Sequence, residues 1–167
     1  MREAIGASWI MGIVLTFIAL FSGYLAFSIN YSKAFRVKDG IIDRLEKHNG
    51  PNCGAGSGCQ GSIDDINKFL TEVGYNSKGD CSKIFGDSEL DYIGVTDDYV
   101  TSNPTSGTYN YCIQRVTAYN QQGQLNAAYY KVVVFFSLSV PVLDFGSSFH
   151  VSGETINMYY PEDDWMG

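Results

Sequence analysis

The spacing of apolar positions divides this chain into parts that predict different structures. No charged side chain occurs from Ala4 to Ile29. At ~1.5 Å per residue that stretch makes a helix of ~39 Å, enough to cross a hydrocarbon layer of ~30 Å with some tilt. It is too long for the apolar region of a secretion signal, and no small-residue cleavage site follows it, so it is expected to be retained. Beyond it, Ile29, Phe35, Val37, Ile41, Ile42 and Leu45 recur at near-helical spacing among Lys33, Arg36, Lys38, Asp43, Arg44 and Glu46. This predicts that the same helix continues with an amphipathic second half. Asn49, Gly50 and Pro51 then stop it, because Gly and Pro together end a helix. One helix of about 50 residues spans ~70 Å, and its second half is where a folded head can pack.

A glycine-rich loop, GPNCGAGSGCQG, comes next. In SIDDINKFLTEVGY the spacing returns to helical, with Ile63, Ile66, Phe69, Leu70 and Val73 on one side. Ser62 is expected as N-cap, Asp64 and Asp65 favour the dipole in the first turn, and Gly74 ends the helix. Residues 76–108 are mostly turn chemistry, with one short strand expected around Tyr92 to Val95. After them the period becomes two. Tyr109–Ala118, Ala128–Val140, Ser147–Ser152 and Thr155–Tyr160 are rich in Tyr, Val, Phe and Ile and predict strands. Tyr130, Val132, Val134, Phe136, Leu138 and Val140 share the face expected to meet the core. Ser152, Gly153 and Glu154 are expected to turn, making the last two strands a hairpin. The predicted class is therefore α+β: residues 1–50 a long N-terminal helix, and residues 51–167 a small head with an antiparallel sheet of about four strands.

Charge follows the same division. Residues 1–50 carry a net +2 and residues 51–167 a net −9, together the −7 of the whole chain. An acidic head argues against nucleic acid as a partner, because phosphate binding needs a surface of Lys and Arg. The four cysteines, Cys53, Cys59, Cys81 and Cys112, all lie beyond the apolar stretch. An even number in a small domain suits an oxidising compartment, and their spacing does not fit a zinc site. Four cysteines allow three connectivities. Cys53 with Cys59 and Cys81 with Cys112 is the expected one, since the first is local and the second ties the irregular segment to the first long strand. Closing that second loop contributes roughly 3 to 4 kcal/mol in the chain-entropy account.

Catalytic chemistry is poorly represented. The glycine-rich stretches GAGSG and GCQGS have neither the preceding strand nor the Lys of a phosphate loop. Asp87, Glu89 and Asp91 alternate like the start of a calcium loop but lack its sixth-position glycine and closing acid, so a solvated acidic loop is the better reading. His48 and His150 have no triad partner at a suggestive spacing. No enzyme activity, cofactor or metal is expected. The 12 Tyr and 10 Phe exceed what a small core must hold, which fits either subunit contacts or plain sheet facing.

The run REAIGASWIMGIVLTFIALFSGYLAFSINYSKAFRVK, with VVVFFSLSVPVLDFGSSFHVSGETINMYY at the end, resembles the type IV pilin architecture. Within it the chain is most similar to the TadE-like pilins of tight-adherence systems. The likeness covers under half of the chain and lies in pattern more than in invariant motifs. It implies a structural subunit of a bacterial extracellular filament, held in the cytoplasmic membrane before assembly. Its partners would be identical subunits in a helical homopolymer and the pilus assembly and export machinery. The resemblance also implies a role for Glu3, meeting the positive α-amino group of a neighbouring subunit, with Arg2 pairing to a neighbour's Glu3. Buried among apolar helices, either charge alone costs several kcal/mol. Gly6, Gly12 and Gly23 permit close helix approach, although glycine is common in membrane helices and their spacing is not a strict small-xxx-small repeat.

The acid stands third here, whereas the family's stands fifth after cleavage, and no basic leader precedes it. By the positive-inside rule Lys33, Arg36 and Lys38 hold the C-terminal part of the chain in the cytoplasm, while the cysteines need it outside. A basic leader removed ahead of Met1 reconciles the two and is the expectation. Simple interfacial anchoring is the plain alternative for Arg2 and Glu3. The alternative for the whole protein is a single-span surface protein whose head binds a partner without polymerising.

Overall fold

A computed structural model describes residues 2–51, 61–86, 92–96, 100–102, 104, 106–119, 125–140 and 143–158. Cys53, Cys59 and the acidic positions Asp87, Glu89, Asp91, Asp97 and Asp98 lie outside the described residues.

The first helix, α1, runs unbroken over Arg2–Lys47. It stops where expected: Asn49 and Gly50 take positive φ of 56° and 108°, and the Gly50 amide donates back to the Leu45 carbonyl at 2.7 Å. Helix α2 covers Ser62–Val73 and ends on left-handed Gly74, whose successor Tyr75 donates to Leu70 O at 2.9 Å. Its start differs from expectation. The N-cap is Gly61, Ser62 is already inside the helix and buried, and the Asp65 amide donates to Gly61 O. A short α3 covers Ser82–Phe85.

Five strands complete the head: β1 (Tyr92–Val95), β2 (Val100–Ser102), β3 (Tyr111–Tyr119), β4 (Leu125–Val140) and β5 (Leu143–Glu154). They form one antiparallel sheet in the order β2-β1-β3-β4-β5. The architecture is α+β, a long N-terminal helix packed on a small antiparallel sheet.

Register explains the core. Ile93 stands opposite Ile113, and Ile113 opposite Val132; Val95 stands opposite Tyr111, and Tyr111 opposite Val134. These two rungs point to one face. There they meet Val37, Ile41 and Leu45 of α1 and Ile63, Ile66 and Leu70 of α2 in the main core. Tyr130, Val132 and Val134 lie there as predicted. Phe136 instead joins Ala34 and Val151 in a smaller cluster. The side chains of Leu138 and Val140 are outside the described set.

The alternate positions of the sheet are also covered. Tyr92, Cys112, Val133 and Phe135 pack with Cys81 and Tyr109, with Ile84 and Phe85 at the margin. A strand buried on both faces reads as a continuous apolar run, and VVVFF in β4 is such a run. The Cys81–Cys112 disulfide pins the α3 segment to this second face.

Further expectations are corrected. Ser152, Gly153 and Glu154 do not turn; they continue β5, paired with Val133, Val132 and Lys131. A Cβ at Gly153 would lie 2.7 Å from Lys38 Cδ and 2.9 Å from Ile42 Cδ1, so glycine serves the close crossing of α1 over the sheet. The stretch after it makes a single bridge, Met158 to Ala128, among the described residues. On α1, Ile29 and Phe35 are exposed and off the packed face, while Lys38 is buried on it. The Lys38 stem lies along Gly153, its ammonium sits 3.8 Å from the centre of the Phe35 ring, and it pairs with Asp39 Oδ1 at 2.9 Å. A long amphipathic side chain can bury its stem this way while its charge reaches a partner.

Candidate membrane-insertion and assembly surface

Because the sheet and α2 cover only the second half of α1, its first half is left without a packing partner in the head. Trp9 is 73 % exposed and Leu20 70 %, with Ile10, Met11, Ile13, Phe17, Phe21 and Tyr24 similarly open, whereas Val37, Ile41 and Leu45 are fully buried. Among the described residues this is the one helix long and apolar enough to cross a membrane.

The transition falls at an aromatic collar. The Phe27 ring meets those of Phe136 and Phe149 edge-on at 5.9 and 6.1 Å, Tyr31 meets Phe136 at 6.0 Å, and Phe136 stacks on Phe149 at 5.5 Å. Such ring pairs favour edge-to-face and offset contacts, which fix the angle at which the helix leaves the head. Trp9 and Tyr31 lie ~33 Å apart along the axis, close to the ~30 Å of a hydrocarbon layer whose boundaries Trp and Tyr prefer.

The free half is not uniform around its axis. Ser8, Gly12, Thr16, Ala19, Gly23 and Ala26 recur at intervals of three and four residues and share one face. At ~100° per residue that face continues directly into Ala34, Val37, Ile41 and Leu45. Small residues therefore occupy, in the free half, the side on which larger residues pack in the head. A search for glycines alone misses this stripe, although spacing reveals it. Two hydroxyls within the apolar half are satisfied internally: Thr16 Oγ1 donates to Gly12 O at 2.9 Å and Ser22 Oγ to Ile18 O at 2.8 Å. Neither hydroxyl therefore presents an unmade bond to lipid or to a neighbouring helix.

The expected assembly residues are placed unequally. Arg2 and Glu3 form the first turn of α1, with their side chains outside the described set. Gly6 and Gly12 both face open space, but they lie about 120° apart around the helix, so only Gly12 belongs to the small-residue face. The four cysteines divide similarly: Cys81 joins Cys112 as expected, and Cys53 and Cys59 are not described.

Charge at the head end of the free half is smaller than the sequence implies. With Lys38 buried, Lys33 and Arg36 are the exposed cations there. Lys33 Nζ donates to Gly74 O at 2.9 Å, which places a cation at the carboxyl end of the α2 dipole. Farther along, the Arg44 guanidinium lies 3.9 Å from the centre of the Phe69 ring and 3.7 Å from Asp65 Oδ2, which His48 also approaches at 3.5 Å. His150 is exposed on β5. Burial pushes the Tyr75 phenol above its ordinary range, opposed in part by Ser77 and the Phe135 backbone. Among the described residues no three His, Cys, Asp or Glu side chains gather as a metal site.

No family model matches the chain, and neither a curated protein nor a solved structure proves similar to it, so its function rests on this geometry.

Proposed function

We propose that the protein is a structural subunit of a bacterial extracellular filament of the type IV pilin kind, resembling the tight-adherence group. The observation that carries this reading is the free half of α1: an apolar half-helix with a small-residue face, rigidly continuous with a half-helix buried in its own head. In a membrane the free half is solvated by lipid. In a filament the small-residue face lets neighbouring helices approach closely, and the acidic heads coat the outside. Glu3, with Arg2, would set the register between subunits. The partners are then identical copies, the machinery that extracts and exports them, and the membrane before assembly.

The second reading is a single-span protein that binds a partner and never polymerises; the match between the Trp9–Tyr31 interval and one bilayer suits it as well as it suits a subunit held in the membrane before assembly. Material sheared from producing cells separates the two. Filaments by electron microscopy, containing an 18.4 kDa band whose N-terminal sequence is that of this chain, support assembly. Gly12→Leu and Glu3→Ala should then each abolish or strongly reduce filaments while leaving the protein in the membrane. Complete retention of the wild-type chain in the membrane fraction, with no filaments, overturns the filament reading and leaves the single-span one.

A further inference from the structure

Past the collar, on the side of α1 away from the sheet, a groove of about 460 Å³ runs between α1 and the carboxyl end of α2, lined by Ser28, Ile29, Ser32, Lys33, Arg36 and Val73. Ser28, Ser32 and Arg36 stand one turn above another, and Ile29 and Lys33 form the adjacent row. We propose that this groove binds the phosphate of an anionic phospholipid headgroup. The inference rests on α1 lying in a membrane, a premise common to both readings above.

Three features specify the ligand. The first is available charge: the ion pairs among the described residues are Lys38 with Asp39, and Arg44 and His48 with Asp65, none of which occupies Arg36. A guanidinium presents a fork matched to phosphate oxygens. Lys33 spends one proton on Gly74 O at 2.9 Å and is held in place by it, leaving two donors. The second feature is polarity along the groove, because the Ser28 and Ser32 hydroxyls supply neutral donors beside the cations. The third is depth. Arg36 lies ~8 Å beyond Tyr31 along the axis, just past a headgroup layer of roughly 5 to 7 Å, which its long side chain reaches back into. Exposed Ile29 and Val73 offer an apolar wall that suits glycerol and the first acyl carbons and has no use in holding free phosphate.

The test is co-flotation of the full-length protein with vesicles of phosphatidylcholine, or of phosphatidylcholine with one third phosphatidylglycerol. Wild type should float with both and prefer the anionic vesicles. Arg36→Gln should weaken that preference about fivefold, and Ser32→Ala by less. Lys47→Gln, an equal charge change at the far end of α1, should leave the preference intact. Equal flotation with both vesicles, or an unchanged preference in Arg36→Gln, overturns the site alone. Loss of the preference in Lys47→Gln as well overturns it in favour of general charge attraction. Flotation with neither overturns the membrane reading of α1 and this site with it. Inorganic phosphate that abolishes the preference, where sodium chloride of equal ionic strength does not, overturns the lipid assignment in favour of a free phosphate.

Discussion

Ser8 to Ala26 and Ala34 to Leu45 belong to one uninterrupted helix and share one continuous face, yet they have opposite surroundings. In the first stretch that face carries Ser, Gly, Thr and Ala, and the large residues Trp9, Ile13 and Phe17 flank it. In the second the face itself enlarges through Val37, Ile41 and Leu45, which are fully buried against the sheet. Apolar character alone does not distinguish the two halves. What distinguishes them is where the bulk sits relative to the face, and whether a complementary surface lies opposite. The head supplies one for the second half. The first half is left for lipid or for other copies.

Charged substitutions should break this comparison most severely. Ile41→Asp places an unpaired carboxylate in a dry core and should cost about 5 kcal/mol or more, removing the head's cooperative melting transition in detergent. Leu20→Asp should leave that transition where it is and instead weaken membrane insertion by about 2.5 to 3.5 kcal/mol, read as loss from the membrane fraction. If both variants unfold the head, the halves are not independent.

Removing the Cys81–Cys112 bridge should cost the head roughly 3 to 4 kcal/mol. Chemical denaturation of the Cys81→Ala/Cys112→Ala variant measures this, and insertion of α1 should be unaffected. The smaller effect expected at Gly40 tests helix contact. A Cβ there would lie 2.5 Å from Phe69 Cζ, so Gly40→Ala should destabilise the α1–α2 contact by about 1 to 3 kcal/mol. Gly12→Ala, facing open space in the free half, should change head stability by less than about 0.5 kcal/mol. Both are read from the same melting curves.

Tyr75 sharpens the picture of the head through pH. Its folded pKa is raised by burial, so below about pH 10 the phenol is neutral in both states and favours neither. Above that the unfolded chain loses its proton first, and stability falls as pH rises, by at most ~1.4 kcal/mol per pH unit from this group. Tyr75→Phe should show a shallower alkaline loss than wild type in denaturant titrations.

Much of the fold was legible because its signals are local. The length of α1, its stop at Asn49 and Gly50, the apolar side of α2 with its Gly74 terminus, and strands β1, β3 and β4 all arise from period and punctuation. The small-residue face is also defined by spacing alone, but a reading that follows only Gly6, Gly12 and Gly23 misses it, because Ser8, Thr16, Ala19 and Ala26 complete the stripe and Gly6 lies off it. Other features depended on contacts between distant segments. Strand β2 is three residues long with a polar end, and it pairs only because β1 lies beside it. Gly153 reads as a turn until Lys38 and Ile42 are known to cross it. Spacing puts Ile29 and Phe35 with the apolar side and Lys38 with the polar one, whereas Ile29 and Phe35 are exposed and Lys38 is buried, because a helix of this length carries several apolar stripes and only packing selects one. The groove at Lys33 and Arg36 needed α2 to supply its second wall.

By itself, then, the sequence determined that a charge-free helix begins the chain, that it continues amphipathically to a glycine stop, and that an acidic head with an antiparallel sheet lies beyond it. Periodicity and the conformational limits of Gly and Pro act over a few residues, so a linear reading captures them. Tertiary structure decided which stripe of α1 is buried, which side of the sheet Cys81 reaches, and where the helix leaves the head. Those outcomes depend on which surfaces can exclude water together, and that is a property of pairs of segments far apart in the chain.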